Sequence, residues 1–137
     1  MFDALFAAKV DRFAGVVRGG SGLGEAGNVA WFVEGKEFAH LHAEDLVDLR
    51  VPRSVQRSVK GEPAVILRDH PSDWLEVQLR SEADVKLAVE LARHGWRDIR
   101  ERARKGRKAS GSRAVGRLGK AARDPRGRRG KRGPGKR

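Results

Sequence analysis

The chain has no cysteine, which removes disulfides, thiolate metal sites and a cysteine nucleophile in one step. That absence fits a reducing interior. Long apolar runs are missing as well, and nothing approaches the roughly 20 consecutive apolar residues that a bilayer-spanning helix needs. The opening stretch MFDALFAAKVDRF carries Asp3, Lys9 and Asp11, so it lacks the unbroken apolar core of a signal peptide. The expectation is a cytoplasmic protein with no membrane partner. Aromatic residues make up 6% of the chain and none follows Trp96, which leaves the C-terminal part without a base-stacking group.

Acidic residues are scarce too, but only locally. Residues 1–100 hold 14 Lys/Arg and 16 Asp/Glu, a balance of −2, whereas residues 101–137 hold 16 and 2, a balance of +14. The net charge of +12 over 137 residues therefore averages two different objects. The sequence predicts one near-neutral folded domain over 1–105, followed by a disordered Arg/Lys/Gly-rich tail over 106–137, where too few apolar residues remain to offset the entropy of ordering.

Along the domain, Phe2, Leu5, Phe6, Val10, Phe13, Val16 and Val17 share one face at helical spacing, which predicts an amphipathic helix over 2–17 with Lys9 at its edge. Arg18–Asn28 reads as a loop. It contains a G-x-G-x-x-G pattern at Gly22, Gly24 and Gly27. A dinucleotide site needs a strand before such glycines and a helix after them; here the predicted order is helix first and strand second, so the segment is read as a loop. Strands are predicted at 29–33, 36–42 and 46–51, with Glu34-Gly35 as the tight turn between the first two. Pro52 opens a short helix that Gly61 closes. Two further strands follow at 64–67 and 74–80. Ser81 caps the last helix with Asp84 in the box position; its apolar stripe is Val85, Ala88, Val89, Ala92 and Trp96, and its end is expected near Lys105. The fold class is α+β: an antiparallel sheet with helices packed on one face and the other face open.

Strand alternation sorts the two faces. One collects Ala39, Leu41, Val47, Leu49, Val51, Leu75, Val77 and Leu79, and is the predicted buried side. The other collects Phe38, His40, His42, Asp48, Arg50 and Trp74, with Glu76, Gln78 and Arg80 beyond. A solvated sheet face accounts for the second set without further assumption. An amphipathic binding shelf also accounts for it, with Phe38 and Trp74 stacking on a small molecule and the histidines, Asp48 and Arg50 supplying polar contacts. A metal reading has geometry in its favour, because strand positions i and i+2 lie roughly 6.5–7 Å apart and let two imidazoles converge, with Asp48 or His70 as a third ligand. The ligand-binding shelf is preferred, and no metal or cofactor is assigned. Asp48 and His40 could form an acid–histidine pair, but no nucleophile follows from the sequence.

The run WFVEGKEFAHLHAEDLVDLRVPRSVQRSV, followed by HPSDWLEVQLRSEADVKLAVELARHGW, resembles a small bacterial and fungal family known as the luciferase domain. The resemblance is carried by Gly35-Lys36-Glu37 leading into His40 and His42, then Asp48, the Pro52 helix start, the Trp74 strand and the Glu82–Asp84 helix start, and it covers about residues 29–97. The turn Asp69-His70-Pro71-Ser72-Asp73-Trp74 departs from the family's His-His and Pro-x-x-Gly-Trp pattern. The family name implies light-producing oxidation, although the chain shows no flavin loop and no adenylate motif. The order of elements is also similar to that of the MmcQ/YjbR-like proteins, an open-faced α+β sandwich.

The tail lacks aromatics for stacking and a scaffold for groove readout, which leaves sequence-independent attraction to phosphates. Arg126, Arg128, Arg129, Lys131, Arg132, Lys136 and Arg137 are its candidate nucleic-acid contacts. The functional expectation is a small-ligand-binding module whose basic tail binds nucleic acid non-specifically. The alternative is an enzyme of oxidative or hydrolytic type acting on the His40/His42/Trp74 face.

Overall fold

The computed structural model describes residues 1–20 and 28–123, with side chains described through 109. Nine elements follow in order: α1 (Phe2–Val10), β1 (Val17–Gly20), β2 (Val29–Val33), β3 (Lys36–Ala43), β4 (Leu46–Arg50), α2 (Arg53–Ser58), β5 (Val65–Leu67), β6 (Trp74–Gln78) and α3 (Glu82–Arg123). The six strands make one antiparallel sheet in the order β1-β2-β3-β4-β6-β5. The chain divides into two compact units, Met1–Glu101 and Arg102–Arg137.

In the first unit the turn chemistry sets the hairpins. Glu34 and Gly35 take φ of 52° and 75°, the left-handed pair that a two-residue hairpin turn requires. Gly61, at φ 100°, ends the turn after α2, and Pro52 precedes it as expected. At the start of α3, the Asp84 N–H donates to Ser81 Oγ at 3.2 Å while Asp84 Oδ2 accepts from the Arg80 N–H at 2.9 Å. The reciprocal cap reaches one residue further out than the usual box.

The inner face of the sheet is apolar from β2 to β5, while on the edge strand β1 the partner of Trp31 is Arg18. The register aligns Trp31, Ala39, Leu49, Leu75 and Leu67 in one row. Phe6 and Val10 of α1 and Val85, Ala88, Leu91, Ala92 and Ile99 of α3 join Trp31, Ala39, Leu49 and Leu75 in one buried cluster. All eight residues assigned to the buried face belong to this cluster, Leu41 at its edge. Gly95 sits inside α3 because a Cβ there would lie 2.0 Å from the Arg50 carbonyl oxygen. The close approach of helix and strand explains a residue that costs a helix interior about 1 kcal/mol.

The N-terminal segment departs from the sequence expectation. The helix ends at Val10, and residues 17–20 form an edge strand paired with β2. Gly15 turns the chain at φ 75°, and Val17 is 64% exposed, so helical spacing over 13–17 was coincidental. Asp11 holds the new arrangement: its carboxylate accepts the Trp31 Nε1–H at 2.8 Å and pairs with the Arg18 guanidinium. Residues 21–27, which include Gly22, Gly24 and Gly27, lie outside the described residues. The segment joins β1 to β2, and the element that follows Gly27 is a strand.

In the second unit the helical backbone continues through Arg123, beyond the expected end near Lys105. Ala, Arg and Lys are good helix formers, yet the side chains at 104–109 are exposed. Residues 124–137, with all seven candidate nucleic-acid contacts, lie outside the described residues.

Candidate functional site

Two irregularities in β3 build the site. Between β2 and β3 the register passes from Trp31↔Ala39 to Phe32↔Glu37, leaving Phe38 as the extra residue of a bulge. A bulge puts two neighbouring side chains on one side of the sheet. Phe38 therefore turns inward: it is fully buried and its ring stacks on Phe13 at 6.3 Å between centroids. This corrects its assignment to the outer shelf. The same shift brings Glu37 outward, where its Oε2 lies 2.8 Å from His40 Nδ1. Between β3 and β4 the register passes from Leu41↔Val47 to Ala43↔Leu46, and His42 is the unpaired residue there.

The outer row beside the core row reads Ala30, His40, Asp48, Glu76 and Ile66. His40 and Asp48 are directly opposed, and Nε2 of the imidazole lies 2.8 Å from Asp48 Oδ2. His42 Nδ1 reaches the same oxygen at 3.3 Å and Arg68 Nη2 at 3.4 Å. The Trp74 ring lies 5.3 Å from the imidazole, tilted by 45°. Arg50 is the register partner of Trp74 at the end of the sheet. His70 is exposed and stands apart from the group formed by His40, His42 and Asp48.

Burial is the second correction. The sequence offered a solvated face as the simple account, but His40 is 3% exposed and Asp48 2%. His42, by contrast, keeps 47% of its side chain in solvent. Burial by itself pushes the His40 imidazolium toward neutrality; hydrogen bonding and charge from Asp48, together with Glu37, outweigh it and raise the His40 pKa above its ordinary value. Burial likewise pushes Asp48 up, yet the His40 hydrogen bond, with His42 and Arg68 charge, brings it below the ordinary carboxylate range. Both directions describe one arrangement, an imidazolium held between two carboxylates.

Asp48 is unevenly satisfied. Its Oδ2 faces three nitrogen groups, while its Oδ1 is buried and has no hydrogen-bond partner. A buried carboxylate oxygen without a donor costs roughly 1–3 kcal/mol or more, so this atom is a place where a donor or a cation is energetically welcome. Sequence reasoning missed Glu37 and Arg68. Unbroken alternation would have put Glu37 on the apolar face between Val33 and Ala39, and that misfit was the available sign of a bulge.

Residues 35–95 match the family model described as the Luciferase domain. The matched segment runs from the Gly35 turn to the Gly95 contact and takes in Glu37, His40, His42, Asp48, Arg68 and Trp74. It lies within the span the sequence resemblance pointed to. No curated protein and no solved structure gives a match, so the likeness to MmcQ/YjbR-like proteins rests on element order alone. Among the described residues, no helix is long and apolar enough to cross a membrane.

Proposed function

We propose that the domain is a small-ligand-binding module centred on His40 and Asp48, and that its basic C-terminal segment holds the protein to nucleic acid. The observation that carries the first part is the partnerless Asp48 oxygen within a cluster of buried charge. Such a cluster is a poor device for stability, since a well-packed apolar replacement is often as stable or more so. Its presence in the middle of a sheet fits a binding task. The ligand this arrangement suits has a hydrogen-bond donor or positive centre for Asp48 and a flat body for Trp74. His42, half in solvent, stands at the entrance.

The second part rests on the balance of +14 over residues 101–137, where phosphate neutralisation is the available chemistry. Duplex binding by the full chain should be insensitive to sequence and fall steeply with salt, by about 0.9 in log K per phosphate contacted for each unit of log salt. A chain ending at Lys105 should not bind.

A thermal-shift screen of metabolites tests the first part. A true ligand at 100 times its Kd adds about 2.7 kcal/mol of stability to the native protein, and Asp48→Asn should abolish the gain. Equal stabilisation of both proteins would place the ligand elsewhere. The enzyme reading is favoured by one feature, the His40–Asp48 pair at 2.8 Å, a geometry suited to proton transfer. Turnover of a screened ligand, lost in Asp48→Asn, would select it.

A further inference from the structure

We propose that His40, His42 and Asp48 bind one divalent transition-metal ion, with zinc the best fit. This deepens the ligand-binding reading and rests on it, since it names the occupant of the same site.

The distances carry the proposal. Zinc with imidazole and carboxylate ligands has bonds of about 2.0–2.1 Å in tetrahedral array, which puts neighbouring ligand atoms about 3.3 Å apart. One ligand atom from each of His40, His42 and Asp48 lies within 4.8 Å of the others. His40 Nε2 and Asp48 Oδ2 are 2.8 Å apart, and His42 Nδ1 and Asp48 Oδ2 are 3.3 Å apart. Two of the three spacings are thus close to the edges of a zinc tetrahedron, and side-chain adjustment within the 4.8 Å group completes the third.

The surroundings agree with that reading. His40 directs its Nδ1 at Glu37, 2.8 Å away, and a ligating histidine characteristically donates its other N–H to a carboxylate, which fixes ring orientation. Both Glu37 and His40 are buried, with side-chain exposures of 7% and 4%, so the imidazole is locked before any ion arrives. The free Asp48 oxygen can take a second bond to the ion or accept from a water bound to it. The exposed edge of His42 leaves the fourth position open toward solvent, the arrangement of zinc sites that bind or activate a further group. Two nitrogens and one oxygen suit zinc and its neighbours rather than magnesium or calcium, which take oxygen shells. Arg68 is an opposing charge. It meets Asp48 at 3.4 Å from a side chain that is 36% exposed, so an incoming dication displaces it into solvent.

Calorimetric titration of the chelator-stripped full chain with zinc chloride tests this, with magnesium chloride in parallel. One zinc per chain and no magnesium binding are expected. His42→Ala changes a side chain that is half in solvent, so it keeps the fold and should weaken zinc by at least about tenfold. Glu37→Gln should weaken it about 10–100-fold, the usual loss for a partner behind a ligating histidine. Substituted cobalt should give visible d–d bands in the native chain that shift in Glu37→Gln and vanish in His42→Ala. The double variant His70→Ala/His94→Ala should bind as the native chain does. No zinc binding, full binding in His42→Ala, or loss of binding in the His70/His94 variant would each overturn the proposal. If zinc fails while an organic ligand still depends on Asp48, the ion is wrong and the binding module stands; if both fail, the site itself is wrong.

Discussion

Two neighbouring rows of the sheet, one residue apart along each strand, face opposite ways and were built by different rules. The inner row, Trp31, Ala39, Leu49, Leu75 and Leu67, is apolar on the five strands from β2 to β5. The outer row, Ala30, His40, Asp48, Glu76 and Ile66, places charge at its three central positions. Both rows are buried at their centres, Leu49 at 0% and Asp48 at 2% exposure. Burial alone therefore does not distinguish core from site. The inner row is satisfied by exclusion of water, whereas the outer row depends on each charge finding its partner, and one oxygen has not.

The largest effect should come from breaking the outer row. His40→Ala leaves Glu37 and Asp48 buried without the imidazolium between them, and removing one member of a buried pair costs about 3–5 kcal/mol. The same truncation in the inner row, Leu49→Ala, should cost about 2–5 kcal/mol. Urea unfolding of the two variants makes the comparison. A His40→Ala loss below 1 kcal/mol would mean the outer row is wetter and looser than described.

A next effect comes from the helix that covers the inner face. Gly95→Ala forces a Cβ against the Arg50 carbonyl, which is backbone and cannot rotate away. The cost should reach about 1–3 kcal/mol or more, as for an overpacked core, even though alanine is the better helix former. An unchanged or raised melting temperature would show that α3 does not press on β4.

His42→Ala sharpens the contrast within the outer row. Its side chain is half in solvent, so unfolding stability should change by no more than about 0.5 kcal/mol, while His40→Ala two residues away changes it several-fold more. Comparable losses for the two would erase the distinction between buried member and entrance.

A comparably small effect concerns the inner row's Trp31. The Arg18 hydrogen bond to Asp11, with the Trp31 N–H, lowers the Asp11 pKa against the opposing effect of burial. A depressed carboxylate stabilises the fold above its unfolded pKa, near 3.9, and loses that contribution as pH falls through the lower folded value. Asp11→Asn should thus be less stable than the native chain at neutral pH, by under about 1 kcal/mol for so exposed a pair, and the gap should close below pH 3.9. A gap that widens in acid would reverse the sign and exclude the Arg18 pairing as its cause.

Several features were legible in the residues because each follows from a local rule. Strand β6 is legible in its two-residue alternation, β2, β3 and β4 in short apolar-rich runs bounded by turn residues, the Glu34-Gly35 turn in its need for positive φ, and the Ser81 and Asp84 cap in the orphan N–H groups of a helix start. The inner-face residues followed from alternation alone. Helical spacing failed at 13–17, where Phe13, Val16 and Val17 fit a helix that Gly15 interrupts, because periodicity does not register a chain reversal. The pair Val16-Val17 ahead of a glycine-rich sequence, with a strand resuming at Val29, was the available clue to β1.

The sequence by itself determined that there is an antiparallel α+β domain, which face of it is the core, and that His40, His42, Asp48 and Trp74 stand together on the other. Only the tertiary structure decided what that group is. The bulge at Phe38 depends on how β3 registers against β2, and it alone moves Phe38 into the core and Glu37 beside His40. The burial of His40 depends on Asp48 facing it from the next strand and on Trp74 arriving from a strand distant in the chain. The bare oxygen of Asp48 results from which partners the fold brings and which it omits. These are matters of register and packing between strands, and the hydrophobic pattern of any one strand is the same whether or not they occur.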